Sequence, residues 1–156
     1  MVSELPSRQT LAARAGVAAR FLALGSVIDR TSLAFLLLAL ATLLWTETPP
    51  PAGPALLVAV IAGLGEKYFA LRVAFDRDVF KDWAEHWEKS DFPAPEADLA
   101  AFDAGLGHPA GGPPRPLEDR VCGALGLLKW QAAFALVQIL ALLAAVLPKA
   151  LSHLVR

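Results

Sequence analysis

The chain has 156 residues, a formal net charge of −1 and 56% hydrophobic residues, and its mean hydropathy is +0.50. This length allows one domain, and the apolar residues are concentrated in blocks, as in membrane proteins. The single cysteine, Cys122, excludes an internal disulfide and a CxxC metal site. The segment Asp76–Arg120 contains eleven acidic and five basic residues, which argues against nucleic-acid binding.

Residues 1–30 do not have the form of a secretory signal, because arginines are spread through them and no cleavage site follows a short apolar core. Within them, Thr10–Ile28 alternates alanine and larger apolar residues with Arg14 and Arg20. This pattern is typical of an amphipathic helix at the cytoplasmic membrane interface. An N-terminal extension of the first spanning helix is the alternative.

Residues 31–75 predict a transmembrane hairpin. The apolar run Ser32–Trp45 is short for a span, which needs roughly 20 residues, so the first helix is extended back over Ser26–Ile28. The Pro-rich segment Thr46–Pro54 ends this helix and begins the next. Two apolar helices joined by so short a loop must be antiparallel.

The longest predicted element is a helix over Pro54–Lys89. It is predicted to be continuous because no Gly or Pro follows Gly65 within it. Its first half spans the membrane and carries Glu66 on a face of small residues that lets another helix approach. Lys67 lies about 100° away around the helix and is predicted to reach the headgroups. The small residues on the Glu66 face are Ala55, Ala59, Ala62 and Ala70.

Residues 76–120 are predicted to form the cytoplasmic part of this helix, a short helix over Pro95–Ala104, and a Pro/Gly-rich linker. Residues 121–156 contain most of the third span, Leu117–Leu147, and a short basic tail. Gln131 and Gln138 share one face of this span with small residues, which predicts a second helix-packing stripe.

Glu66 is the residue placed at the greatest cost, because a carboxylate in hydrocarbon must be paired, protonated or hydrated. Lys129 and Gln131 lie at a similar depth in the third span, so we expect Glu66 to contact one of them. The structural interpretation is a polar clasp that holds two helices in register, and the functional one is a proton or ion carrier site. The predicted intramembrane polar and packing residues are therefore Glu66, Lys129, Gln131 and Gln138.

Phe80, Trp83 and Trp87 form an aromatic stripe that is predicted to contact either the membrane surface or a protein partner, since such a stripe is seldom left in water. In the same segment, Asp78, Asp82 and His86 are spaced four residues apart and therefore lie on one face of the helix. Such a strip can bind a divalent metal, but the prediction is a solvated face without metal.

The sequence thus predicts an all-α integral membrane protein with three transmembrane helices, a hairpin plus a third span, and a long amphipathic cytoplasmic extension of the second helix. Lys and Arg are absent from the hairpin loop and frequent elsewhere, which places the N-terminus in the cytoplasm. The composition is typical of a bacterial protein, so we expect a multi-pass protein of the bacterial inner membrane.

The expected function is that of a non-enzymatic accessory or scaffold subunit of a larger membrane complex, because no catalytic constellation, cofactor motif or known family pattern is present. Its expected partners are the lipid bilayer and either other subunits or further copies of this chain. The alternative is a homo-oligomeric transporter or channel component that uses Glu66 as its ion site. A membrane enzyme using the Asp78, Asp82 and His86 strip is the third hypothesis.

Overall fold

The computed structural model describes residues 7–45, 52–89, 94–107 and 115–154. These residues form four helices and no strand: α1 (Arg8–Trp45), α2 (Ala52–Trp87), α3 (Pro95–Gly105) and α4 (Leu117–Leu154). Three of the helices are long and apolar enough to cross a membrane. The predicted all-α class and the predicted number of candidate spans are confirmed.

Helix α1 is continuous from Arg8 to Trp45. Ser7 caps its N-terminus, since the Ser7 hydroxyl oxygen accepts a hydrogen bond of 3.2 Å from the Thr10 amide. The segment Thr10–Ile28 is therefore continuous with the first candidate span, as in the alternative to an amphipathic helix at the membrane interface.

Helix α2 is also continuous, as predicted, although it begins two residues earlier, at Ala52. Its last turn leaves carbonyl groups without partners inside the helix. The guanidinium of Arg8 satisfies one of them by donating from Nε to the Trp87 carbonyl oxygen at 3.1 Å. Residues 46–51 of the predicted hairpin loop and 108–114 of the predicted linker lie outside the described residues.

The chain divides into two compact units, and each long helix contributes a segment to both. Unit 1 comprises residues 1–23 and 73–126, and unit 2 comprises residues 24–72 and 127–156. Unit 1 therefore takes in the whole of segment 76–120 with parts of the other three sequence segments, and unit 2 combines the remainder of segments 1–30, 31–75 and 121–156.

Unit 2 is a three-helix bundle with a core of mostly small side chains. Ala39 of α1, Ala59 of α2 and Ala141 of α4 are buried together with Leu56. Small side chains at a shared contact allow three backbones to approach closely. In the most apolar stretch of each candidate span, only 11 to 28% of the residues are buried. The bundle therefore covers its small and polar faces and leaves its large aliphatic side chains outside.

Unit 1 has an aromatic core. Phe80, Trp83 and Trp87 of α2 are buried, and Phe102 of α3 packs edge-to-face on Trp83. Leu99 of α3 is buried as well. The rings of Trp83 and Trp87 are stacked, with their centroids 5.5 Å apart. Aromatic side chains supply much buried area per residue, which suits a unit built from short helical segments.

Candidate functional site

The candidate site is a polar clasp in unit 2, formed by Asp29 of α1, Glu66 and Lys67 of α2, and Gln131 of α4. Glu66 and Gln131 are both fully buried. Gln131 Nε2 donates to Glu66 Oε1 at 2.7 Å and to the Gly25 carbonyl oxygen at 2.9 Å. One amide group thus connects α4 to both other helices of the bundle.

Lys67 closes the clasp on the side of α1. Its Nζ lies 2.5 Å from Asp29 Oδ1 and 2.6 Å from the Asp29 carbonyl oxygen, and it lies 3.0 Å from Glu66 Oε2. The sequence predicted that Lys67 would reach the headgroups. In the structure its long stem instead brings the ammonium to the two carboxylates of Asp29 and Glu66, which attract its positive charge.

Lys129 does not take part in the clasp, contrary to one of the two contacts expected for Glu66. Its side chain is exposed, whereas Gln131 is fully buried. Residues two apart on a helix point in nearly opposite directions, so only one of the two can face Glu66. In the structure α4 turns the Gln131 amide toward Glu66, and the cation that pairs with Glu66 is Lys67 of α2.

A second polar contact joins α1 and α4 in unit 2, two helical turns beyond Gln131 along α4. The Ser32 hydroxyl donates to Gln138 Oε1 at 2.7 Å, and Gln138 Nε2 donates to the Ser32 carbonyl oxygen at 3.2 Å. Both residues are buried. A Cβ atom on Gly63 of α2 would lie 2.5 Å from Gln138 Nε2, so glycine makes room for this contact.

Sequence reasoning identified Glu66, Gln131 and Gln138 but missed Asp29 and Ser32. A signal for Asp29 was present in the hairpin. Asp29 lies 16 residues before the end of α1 and Lys67 lies 15 residues after the start of α2. In an antiparallel hairpin, residues at equal distance from the loop lie at the same depth, so an acid and a base at matched positions predict an ion pair.

Phe80, Trp83 and Trp87 do not form the exposed contact surface that the sequence predicted. All three are buried inside unit 1, because α3 packs over the aromatic stripe. Trp87 Nε1 donates to Asp98 Oδ2 of α3 at 2.7 Å. The short helix was predicted from the sequence, but no sequence pattern indicated where it would pack.

Arg120 of α4 connects α4 to α3 through an ion pair and through contacts with aromatic rings. Its Nη2 lies 2.6 Å from Asp103 Oδ2, and its guanidinium carbon lies 5.3 Å from the centre of the Phe102 ring and 5.7 Å from that of Trp83. The hydrogen bond from Arg120 is the main cause that lowers the pKa of Asp103 below its usual value. Desolvation opposes this shift, and Arg115 reinforces it.

Asp78, Asp82 and His86 lie exposed along α2, as expected for a solvated face. Asp78 pairs with Arg77, whose Nη2 lies 2.8 Å from its Oδ1. Within the four described ranges, no three His, Cys, Asp or Glu side chains are grouped as a metal site would require.

Unit 1 contains an open groove of about 610 Å³ between its segments of α1 and α2. Its floor includes Gly16, where an added Cβ would lie 3.6 Å from the Ala84 Cβ. Since the two segments are antiparallel, this contact sets their register. The cations and acids that line the groove are Arg20, Arg77, Lys81, Glu85 and Glu88.

No protein-family model, curated protein or solved structure matches this chain.

Proposed function

We propose that the protein is a non-enzymatic accessory or scaffold subunit of a larger complex in the bacterial inner membrane. In this proposal unit 2 is the membrane anchor, and unit 1 binds a partner protein in the cytoplasm along the groove between α1 and α2. The observation that carries the proposal is this groove, with its floor of small residues and its lining of basic and acidic side chains.

The dimensions of unit 2 support the membrane anchor. The α1 and α2 segments of unit 2 contain 22 and 21 residues and its α4 segment contains 28, so each is at least about 30 Å long, enough to cross the hydrocarbon core. Trp45 is exposed at one end of the bundle, and Tyr68 and Trp130 are exposed toward the other. Aromatic residues are enriched at the two interfaces of a membrane, so these three suit a span of that length.

The charges in the groove support a helical protein partner. The register set by Gly16 and Ala84 puts the cationic side chains of Arg20, Arg77 and Lys81 toward one end and Glu88 toward the other. Glu85 lies between the two ends, with its Oε1 3.8 Å from Lys81 Nζ. An amphipathic helix can place large apolar residues on the small-residue floor and opposite charges at the two ends. Lipid would not require an acidic end.

The clasp supports a structural role for Glu66 over the transport alternative. Glu66 is fully buried inside a single chain. Gln131 donates a hydrogen bond to its carboxylate, and the Lys67 ammonium forms an ion pair with it. The small-residue faces of α2 and α4 are likewise used inside the bundle, as Ala59, Ala62 and Ala141 are buried. A residue that lines a path between several copies would need to face the surface of each copy.

Site-specific photocrosslinking in the native membrane tests the proposal. A photoreactive amino acid at Lys81, which lines the groove, should give a discrete adduct with a different polypeptide. The matched control is the neighbouring position Asp82, which is also exposed on α2 but does not line the groove. Equal adducts at both positions, or adducts only between copies of this chain, would contradict the proposal.

A further inference from the structure

Two oxygen atoms in the clasp are buried and accept no hydrogen bond from the described residues: Glu66 Oε2 and Gln131 Oε1. Both side chains are fully buried. The deficit cannot be removed by exchanging the nitrogen and oxygen of the Gln131 amide. The atom that lies 2.9 Å from the Gly25 carbonyl oxygen must be a donor, so it must be the nitrogen.

Most of the hydrogen-bond donors around the clasp are directed at other acceptors. Gln131 Nε2 has two hydrogens, and these point to the Gly25 carbonyl and to Glu66 Oε1. Lys67 donates to the carbonyl oxygen and to Oδ1 of Asp29. Its Nζ is 3.0 Å from Glu66 Oε2, which gives an attraction between charges but not a hydrogen bond of acceptable geometry.

We propose that the clasp is a binding site for ordered water, which donates hydrogen bonds to Glu66 Oε2 and Gln131 Oε1. Buried polar groups in proteins are almost always paired, and internal water commonly supplies the missing partner. Water brings two donor hydrogens in a small volume, which suits two acceptors on side chains that are themselves hydrogen-bonded to each other.

A metal cation fits this site less well than water. A cation bound to Glu66 Oε2 would lie close to the Lys67 ammonium, which is 3.0 Å from the same oxygen, and the two positive charges would repel. The side chains of Lys67 and Asp29 are 27% and 40% exposed, so the clasp has a polar edge at the surface of unit 2.

The same helix offers an internal control for this proposal. Gln138 is the same residue type as Gln131, lies two turns further along α4, and is also fully buried. Its oxygen accepts from the Ser32 hydroxyl and its nitrogen donates to the Ser32 carbonyl, so it requires no water. The two glutamines therefore differ in whether the protein satisfies the side-chain oxygen.

The test is solution NMR on the unmodified full-length chain in lipid nanodiscs, with side-chain amides labelled with ¹⁵N. Rotating-frame cross-relaxation with water is measured at the two glutamine amides, because its sign separates close contact from proton exchange. We expect a direct water contact at Gln131 and none at Gln138. No water contact at Gln131, or an equal contact at both residues, would overturn the proposal.

Discussion

Gln131 and Gln138 show how the value of one residue type depends on its partner. Both are fully buried in α4, but Gln131 donates to a carboxylate whereas Gln138 exchanges hydrogen bonds with a neutral serine. Hydrogen bonds to charged groups contribute more to stability than those between neutral groups. In an apolar bundle the difference is increased, because a buried carboxylate that loses a hydrogen-bond donor is more costly than a buried neutral group that loses one.

Replacing Gln131 with leucine should therefore destabilise unit 2 more than the same replacement at Gln138. We expect a loss of about 1.5 to 3 kcal/mol for Gln131→Leu and about 1 kcal/mol for Gln138→Leu. Thermal unfolding in one detergent, followed by circular dichroism, measures both. Equal losses would show that Glu66 does not depend on the Gln131 donor.

Helix α2 allows a steric test with a built-in control. A Cβ atom added at Gly65 would lie 2.5 Å from the Phe134 ring, which is itself stacked on Phe69 at a centroid distance of 5.4 Å. Gly65→Ala should therefore cost about 1 to 3 kcal/mol through overpacking. At Gly53 nothing lies within 4 Å, so Gly53→Ala should be neutral or stabilise the helix slightly.

Thermal melts of the two glycine variants decide this point. The account predicts a lower melting temperature for Gly65→Ala than for the wild type, with Gly53→Ala unchanged or higher. If Gly65→Ala melted at the wild-type temperature, α2 and α4 would not approach as closely as the structure has them.

Helix α3 should be held less firmly against the α2 and α4 segments of unit 1 in acid. Because Arg120 lowers the pKa of Asp103 in the folded protein, this carboxylate contributes stability above its unfolded pKa. The contribution is lost as the pH falls from the usual aspartate range, about 3.9, through the lowered folded value. Hydrogen exchange of the α3 amides should accelerate over this pH range, after correction for the intrinsic pH dependence.

Two variants separate this transition from general acid unfolding. Asp103→Asn removes the titrating group and should leave α3 weakly held at neutral pH without the acid-dependent step. Glu96→Gln removes an exposed carboxylate of the same helix and should retain the step. An unchanged acid step in Asp103→Asn would contradict the role given to the Asp103–Arg120 pair.

At the level of elements, the sequence was sufficient for much of the secondary structure. Blocks of apolar residues identified the three long helices, and the cost of a buried carboxylate identified Glu66, with Lys129 and Gln131 as its two expected contacts, of which the structure has Gln131. The packing of α3 could not be predicted, because it depends on contacts such as Trp87 with Asp98 and Arg120 with Asp103 between distant segments. The aromatic stripe was therefore assigned to a partner, although the chain covers it itself.

At the level of the whole molecule, the clasp stabilises the helix bundle of unit 2, and the groove of unit 1 is the proposed binding surface for a partner protein. Arg20 is exposed and lines the groove, so its charge is available to an acidic group of a partner. Reversal of this charge should repel such a group without disturbing the two cores.

Arg20→Glu should therefore reduce the amount of partner that co-purifies with the chain by about tenfold, while the melting temperature stays within a degree or two of the wild type. The control is Gln9→Glu, which adds a negative charge at an exposed position of α1 that does not line the groove. Quantitative mass spectrometry of the purified complexes measures the retained partner. Equal retention in both variants would remove Arg20 from the recognition surface.

The central claim is that this chain works as one subunit among different ones, and native mass spectrometry tests it most directly. The full-length chain would be extracted gently from its own membrane at its natural expression level. The account predicts co-elution with at least one different polypeptide in a fixed ratio, and loss of that polypeptide in Arg20→Glu. A chain that appears only alone, or only with copies of itself, would contradict it.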